Sequence, residues 1–117
     1  MRRVLIVDDR PQVRRDLRTL LTLTGGIEIV GEAANGMEAI WQVANLQPDV
    51  TLMDLAMPVM DGCEATRQIK AKYPQARIIA LTIHSDAETR KRALQAGVDE
   101  FVEKGASLAG LIQMIQR

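Results

Sequence analysis

Five apolar runs of strand length punctuate the chain: Val4 to Val7, Ile27 to Val30, Val50 to Met53, Ile78 to Leu81 and the short Phe101-Val102. Longer segments with apolar residues at helical spacing lie between them. That alternation predicts repeated β/α units around a parallel sheet. VLIV, VTLM and IIAL are continuously apolar, as expected of central strands covered on both faces, whereas IEIVGEA alternates in part and reads as an edge strand. Parallel strands all point the same way, so residues that follow them emerge along one edge of the sheet.

The intervening stripes read as helices. Leu108, Leu111, Ile112 and Ile115 make one apolar face behind a Ser107 N-cap. Val13, Leu17, Leu20, Leu21 and Thr24 make another, with Pro11 suited to the first turn and Gly25-Gly26 to the stop. In the second helix Ala39, Ile40, Val43 and Leu46 face inward, which turns Trp41 to the opposite side. An exposed tryptophan can anchor a partner, although a single surface aromatic needs none. Gln47-Pro48, Lys72-Tyr73-Pro74 and Ala96-Gly97 end the second, third and fourth helices. With no linker, long-period repeat or low-complexity tract, residues 1–117 read as one α/β domain, a doubly wound sheet of five parallel strands with five helices.

A chain of 117 residues with 47% hydrophobic content is long enough for one core of its own. No apolar stretch approaches the roughly 20 residues of a membrane span, and MRRVLIVDDR has no long apolar segment or cleavage site. The expectation is a soluble, cytoplasmic protein with no membrane contact. Fifteen basic and fifteen acidic residues cancel, which removes any overall drive toward nucleic acid. The lone Cys63 fits a reducing compartment and reads as a small apolar helix residue, since the only histidine, His84, sits on another segment. A Cys/His metal site is excluded on the same count. His84 itself reads as a solvated loop residue, with pH sensing the minor alternative.

Polar residues break the pattern at the strand ends. Asp8-Asp9 follow the first run, Asp54 the third and Thr82 the fourth, and Lys104 comes just after the fifth. Ligands of open α/β sheets bind at that carboxyl edge. Two carboxylates about 4 Å apart repel by roughly 4 kcal/mol at an effective dielectric of 20. Three together therefore hold protons or bind a cation, and a hard, oxygen-seeking ion such as Mg²⁺ is the natural answer. Metal, amine and hydroxyl around a carboxylate suit an incoming phosphoryl group, with Asp54 as the nucleophile that forms an acyl phosphate. A flavin site is excluded because DDRPQV offers acids where a phosphate-cradling loop needs Gly, Ser or Thr. An aspartyl phosphatase usually has a second acid two residues after its nucleophile, and here that residue is Ala56.

IVDD at the first strand end, LMDLAMPVMDG around Asp54, ALT at Thr82 and FVEK at Lys104 together resemble the receiver domain of bacterial two-component response regulators, from Arg3 to the last helix. Any one motif is weak; all four in order are specific. The resemblance implies a flavodoxin-like, chemotaxis-regulator-like sheet of strand order 2-1-3-4-5. It makes Asp54 the phosphoacceptor, served by a sensor histidine kinase, and Mg²⁺ the cofactor. Asp9 and Asp54 would ligate the metal directly, Asp8 through a water, and Ala56 through its backbone carbonyl. Lys104 would contact the phosphoryl oxygens, Thr82 would move toward them, and Phe101 would be the switch aromatic. Pro58 and Gly62 would shape the pocket rim with Ile83. Such a domain is a switch rather than a turnover enzyme, and it takes part in its own phosphotransfer and dephosphorylation. Transfer would remodel the face of the fourth helix, fifth strand and fifth helix. A homodimer through that face, or through the first and fifth helices, is left open.

Three positions depart from the family pattern. Phe101 lacks the phenol of many relatives, Gly105 stands where many carry a proline, and Ile83 is bulkier than the small residue usual after the switch hydroxyl. GIEIVGEAANGMEAI and EKGASLAGLI resemble receivers of the NarL/FixJ/LuxR type, which carry a C-terminal helix-turn-helix domain. The segment reads as a stand-alone receiver or, the favoured alternative, as part of a transcription regulator that meets DNA only through an output domain. A phosphorylation-independent interaction module on the same fold is the competing function.

Overall fold

The structure, a computed structural model, describes residues 1–83 and 86–117; His84 therefore lies outside the described residues. Its elements alternate without exception: β1 (Arg2–Val7), α1 (Pro11–Thr24), β2 (Ile27–Ala33), α2 (Gly36–Leu46), β3 (Val50–Met53), α3 (Gly62–Lys72), β4 (Arg77–Thr82), α4 (Ala87–Ala96), β5 (Glu100–Glu103) and α5 (Leu108–Gln116). The strands form one parallel sheet in the order β2-β1-β3-β4-β5, with IEIVGEA at an edge as its partial alternation predicts.

Strand residues alternate between two apolar layers. Leu5, Val7, Met53, Ile78 and Ala80 pack with Ala39, Val43, Ala65, Ile69 and Ala93 of α2, α3 and α4. Val4, Ile6, Val50, Leu52 and Ile79 pack on the other face with Leu21 of α1 and Leu111 and Ile115 of α5. Both faces are covered, which is why the central strands carry continuous rather than alternating apolar runs. The helix ends follow local chemistry. Pro11 opens α1, the Ser107 hydroxyl accepts from the Gly110 N–H at 3.2 Å, and Gly25 and Gly97 stop their helices at φ +80° and +108°.

One stripe is narrower than its sequence pattern. Leu20 is 43% exposed and Thr24 is exposed too, its hydroxyl donating back to the Leu20 carbonyl. The α1 helix shares this sheet face with α5, and Leu21 is its fully buried residue. Leu20 instead lines an apolar groove of about 310 Å³ with Val13, Leu17, Leu108 and Leu111.

Charge pins α1 to the edge strand. Arg14 Nε and Arg18 Nε stand 3.1 and 2.6 Å from the two oxygens of Glu32, and Arg14 Nη1 also donates to the Asp8 carbonyl at 2.6 Å. Partial burial would raise the Glu32 carboxyl, but the hydrogen bonds and charges of Arg18 and Arg14 outweigh it and hold it below the ordinary glutamate range. A depressed carboxyl stabilises the fold above its unfolded value, and that contribution is lost as pH falls through the folded one. Glu32→Gln should therefore cost about 1 kcal/mol in urea titrations at pH 7, with the gap to the parent closing below about pH 4; a gap independent of pH would show that the ion pairs contribute nothing.

Candidate functional site

Backbone ladders deliver the acids to the carboxyl edge. The Asp8 N–H donates to the Ala33 carbonyl at 3.0 Å and the Asp54 N–H to the Val7 carbonyl at 2.9 Å, so both residues are fixed as extensions of strand pairing. Their side chains are buried, 2% and 5% exposed, and Asp9 lies further out. One ligand oxygen from each of Asp8, Asp9 and Asp54 falls within 4.8 Å of the others. Lys104 is brought in by β5 and held by its N–H on the Thr82 carbonyl at 2.7 Å. Its Nζ donates to Asp8 Oδ2 at 2.6 Å and stands 3.5 Å from Asp54 Oδ1. Asp9, Arg10, Asp54, Ala56, Ile83 and Lys104 line a cavity of about 180 Å³ over this group.

Electrostatics at Asp54 follow from that geometry. Burial, and then the charge of Asp8, push its carboxyl above the ordinary aspartate range, while Lys104 and the Ala56 N–H pull it back. Lys104 favours Asp8 by distance, so Asp54 keeps an incompletely compensated charge. Three oxygen donors with no nitrogen or sulfur among them form a set that fits a hard divalent cation. Burial also pushes the Cys63 thiol up, which agrees with its reading as a packing residue.

The structure brings Asp8, Asp9, Asp54 and Lys104 together and puts Ala56 and Ile83 on the cavity wall, with Ile83 62% exposed. Thr82 is fully buried as the last residue of β4 and does not line the cavity. Phe101 pairs in register with Ala80, which puts its ring on the same sheet face as Thr82; it is half-buried, with the Arg90 guanidinium 4.8 Å from the ring centre. Pro58 and Gly62 are not on the cavity wall. Gly62 sits behind Asp54, where a Cβ would come 2.1 Å from the Asp54 carbonyl oxygen, so a glycine there lets the start of α3 press against the strand end. Asp9 does not cap α1, whose N-cap is Arg10 with no side-chain bond. Two participants escape a sequence reading: Arg10 on the cavity wall and Arg14 behind Asp8. Position next to the acid pair is the only signal for Arg10, and the contact of Arg14 needs the helix docked.

Residues 4–116 match the model of the response regulator receiver domain. The chain belongs to that family. As a receiver domain it is 39% identical over 116 residues to the response regulator GacA of Pseudomonas viridiflava, covering 99% of this chain and 54% of that protein. It is 42% identical over 115 residues to the response regulator protein VraR of Staphylococcus aureus, covering 98% and 55%. The receiver thus spans about half the length of these curated relatives. Among solved structures, a LuxR-family two-component response regulator from an Aurantimonas species superposes with a TM-score of 0.93 at 36% identity, covering 99% of this chain and 83% of that one. A chain of the CheX–CheY–BeF3–Mg²⁺ complex from Borrelia burgdorferi superposes with a TM-score of 0.88 at 29% identity, covering 97% and 86%. The topology expected from the sequence is the one these receivers share.

A carboxyl raised on folding opposes stability once ionised: stability falls as pH rises from the ordinary aspartate range through the raised value. In chelator at pH 7, Asp54→Asn should stabilise the receiver by about 1 kcal/mol, a rise in Tm of roughly 4 °C. The gain should shrink as pH is lowered and Asp54 takes up its proton. Calorimetry showing an Asp54→Asn protein no more stable than the parent would contradict this account of the buried acids.

Proposed function

We propose that this receiver is a phosphorylation-controlled switch in which Asp54 accepts a phosphoryl group from a phosphohistidine on a sensor histidine kinase. The observation that carries the reading is a buried Asp54 carboxyl held 3.5 Å from the Lys104 ammonium, with two more acids converging on it. Asp9 and Asp54 would hold Mg²⁺ directly, Asp8 through a water and Ala56 through its backbone carbonyl. An ion held there would supply positive charge against the phosphoryl oxygens. Asp54 supplies the attacking oxygen. Lys104 is already positioned to pair with the transferred group by exchanging Asp8 for it. Thr82 and Phe101, on one sheet face, relay the new charge toward α4, β5 and α5. That face carries the output and, with the α1–α5 groove, offers a surface for a homodimer. A DNA-binding domain outside this segment would read the switch, in keeping with the longer relatives, and the whole acts in the cytoplasm. Among the described residues no helix is long and apolar enough to cross a membrane. The domain turns over no substrate beyond its own phosphorylation and dephosphorylation.

Acetyl phosphate with Mg²⁺ should add one phosphoryl group by intact mass, and neither the Asp54→Asn protein nor the parent in chelator should gain it. Mass addition to Asp54→Asn at the parent rate would end the proposal, and a parent that takes no label with or without Mg²⁺ would favour the phosphorylation-independent module. Ile83 overhangs the cavity, so Ile83→Ala should admit water more readily and shorten the half-life of phospho-Asp54 several-fold. An unchanged half-life would reject the steric role of that side chain.

A further inference from the structure

Arg10 lines the acid cavity beside Asp9, Asp54, Ala56, Ile83 and Lys104, and none of the roles above uses it. Its N–H donates to Asp8 Oδ1 at 2.9 Å, while its guanidinium Nε stands 3.6 Å from that oxygen with the side chain 52% exposed. The separation is too long for a hydrogen bond, so the guanidinium forms a loose ion pair and is free to exchange partners. Lys104 differs in being 13% exposed and bonded to Asp8 at 2.6 Å. Three carboxylates face two cations here, and Lys104 is already committed to Asp8. The cation that is both at the mouth and loosely held is Arg10. Its planar fork of donors matches two phosphoryl oxygens at once.

We propose that Arg10 is a phosphoryl-binding residue of this receiver: its guanidinium takes hold of the non-bridging oxygens of the incoming phosphoryl group and turns the phosphorus toward Asp54. The inference rests on Asp54 being the phosphoacceptor. During transfer an Asp54 carboxylate oxygen bonds to phosphorus while the bond from phosphorus to the donor oxygen or nitrogen breaks. The bonding pair leaves with acetate from acetyl phosphate or with ammonia from zwitterionic phosphoramidate. Arg10 exchanges no atom in the step, and the ligand chemistry it selects is the anionic phosphoryl group itself, whatever carries it.

Phosphorylation of the whole chain is followed by intact mass in Mg²⁺ over a concentration series of acetyl phosphate and, separately, of phosphoramidate. For Arg10→Ala the half-saturating concentration of both donors should rise about fivefold, the scale of an exposed ion pair, with a smaller change in limiting rate. The difference should fade as salt is raised, and Arg10→Lys should recover part of it. Calorimetric Mg²⁺ affinity of Arg10→Ala should equal or exceed that of the parent, because a cation beside Asp8 has been removed. Unchanged half-saturation, an effect on acetyl phosphate alone, or a fall in Mg²⁺ affinity would each overturn the role of Arg10. If the parent does not label, or if Asp54→Asn labels equally, the phosphoacceptor reading fails and this inference fails with it, an outcome distinct from a parent and an Arg10→Ala protein that label alike.

Discussion

Two carboxylates buried side by side are the constraint around which the carboxyl edge of this sheet is organised. Asp8 and Asp54 are placed by backbone hydrogen bonds that extend β1 and β3, so neither can withdraw to water without breaking a strand pair. Their repulsion must be met by something brought from outside those strands. Lys104 is that group, and it comes from the strand at the far edge of the sheet, two positions from β3. The fold is held partly by this long-range demand: to keep the acids buried, β5 must dock with its last residues level with the end of β4, as the pairing of Thr82 with Glu103 and of the Lys104 N–H with the Thr82 carbonyl shows.

The compensation is uneven. Lys104 is nearly a full ångström closer to Asp8 than to Asp54, so the uncompensated charge falls on Asp54, the one of the two that lines the cavity. That asymmetry is chemically useful. A carboxylate fully satisfied by a lysine would be a poor nucleophile, and a cation fully satisfied by Asp54 would have nothing left for a phosphoryl oxygen. On the proposed function, such an electrostatically incomplete site would take up a divalent ion and an anion in turn, each improving the environment for the other.

Much of the frame was legible before any coordinates, for reasons that can be named. Continuous apolar runs identify strands covered on both faces, and a parallel sheet then sends Asp8, Asp9, Asp54, Thr82 and Lys104 to one edge regardless of how the helices pack. What could not be read depends on distances between elements. The partly exposed Leu20 lines a groove with Leu108 and Leu111 of α5, more than eighty residues away in the chain. The role of Gly62 depends on how closely α3 approaches the end of β3, and the hold of Arg14 on Asp8 and Glu32 exists only once α1 lies against β1 and β2. Sequence spacing locates the chemistry to an edge; packing decides which partner each charge takes.

Phe101 ties the sheet edge to α4. Its ring shares a sheet face with Thr82 but has no hydroxyl, so its position is decided by packing against the core and by the Arg90 guanidinium of α4 at 4.8 Å. A cation over a half-exposed ring contributes about 0.5–1 kcal/mol. That is enough to favour one position and too little to lock it, so the ring can follow a change at Thr82 without an unfolding event. Had the ring been fully enclosed among the apolar residues of α2, α3 and α4, moving it would cost several kcal/mol of packing, more than a single charge added at the sheet edge readily supplies. On the proposed switch, half-burial under a surface arginine would let a modest electrostatic event at Asp54 be felt on α4.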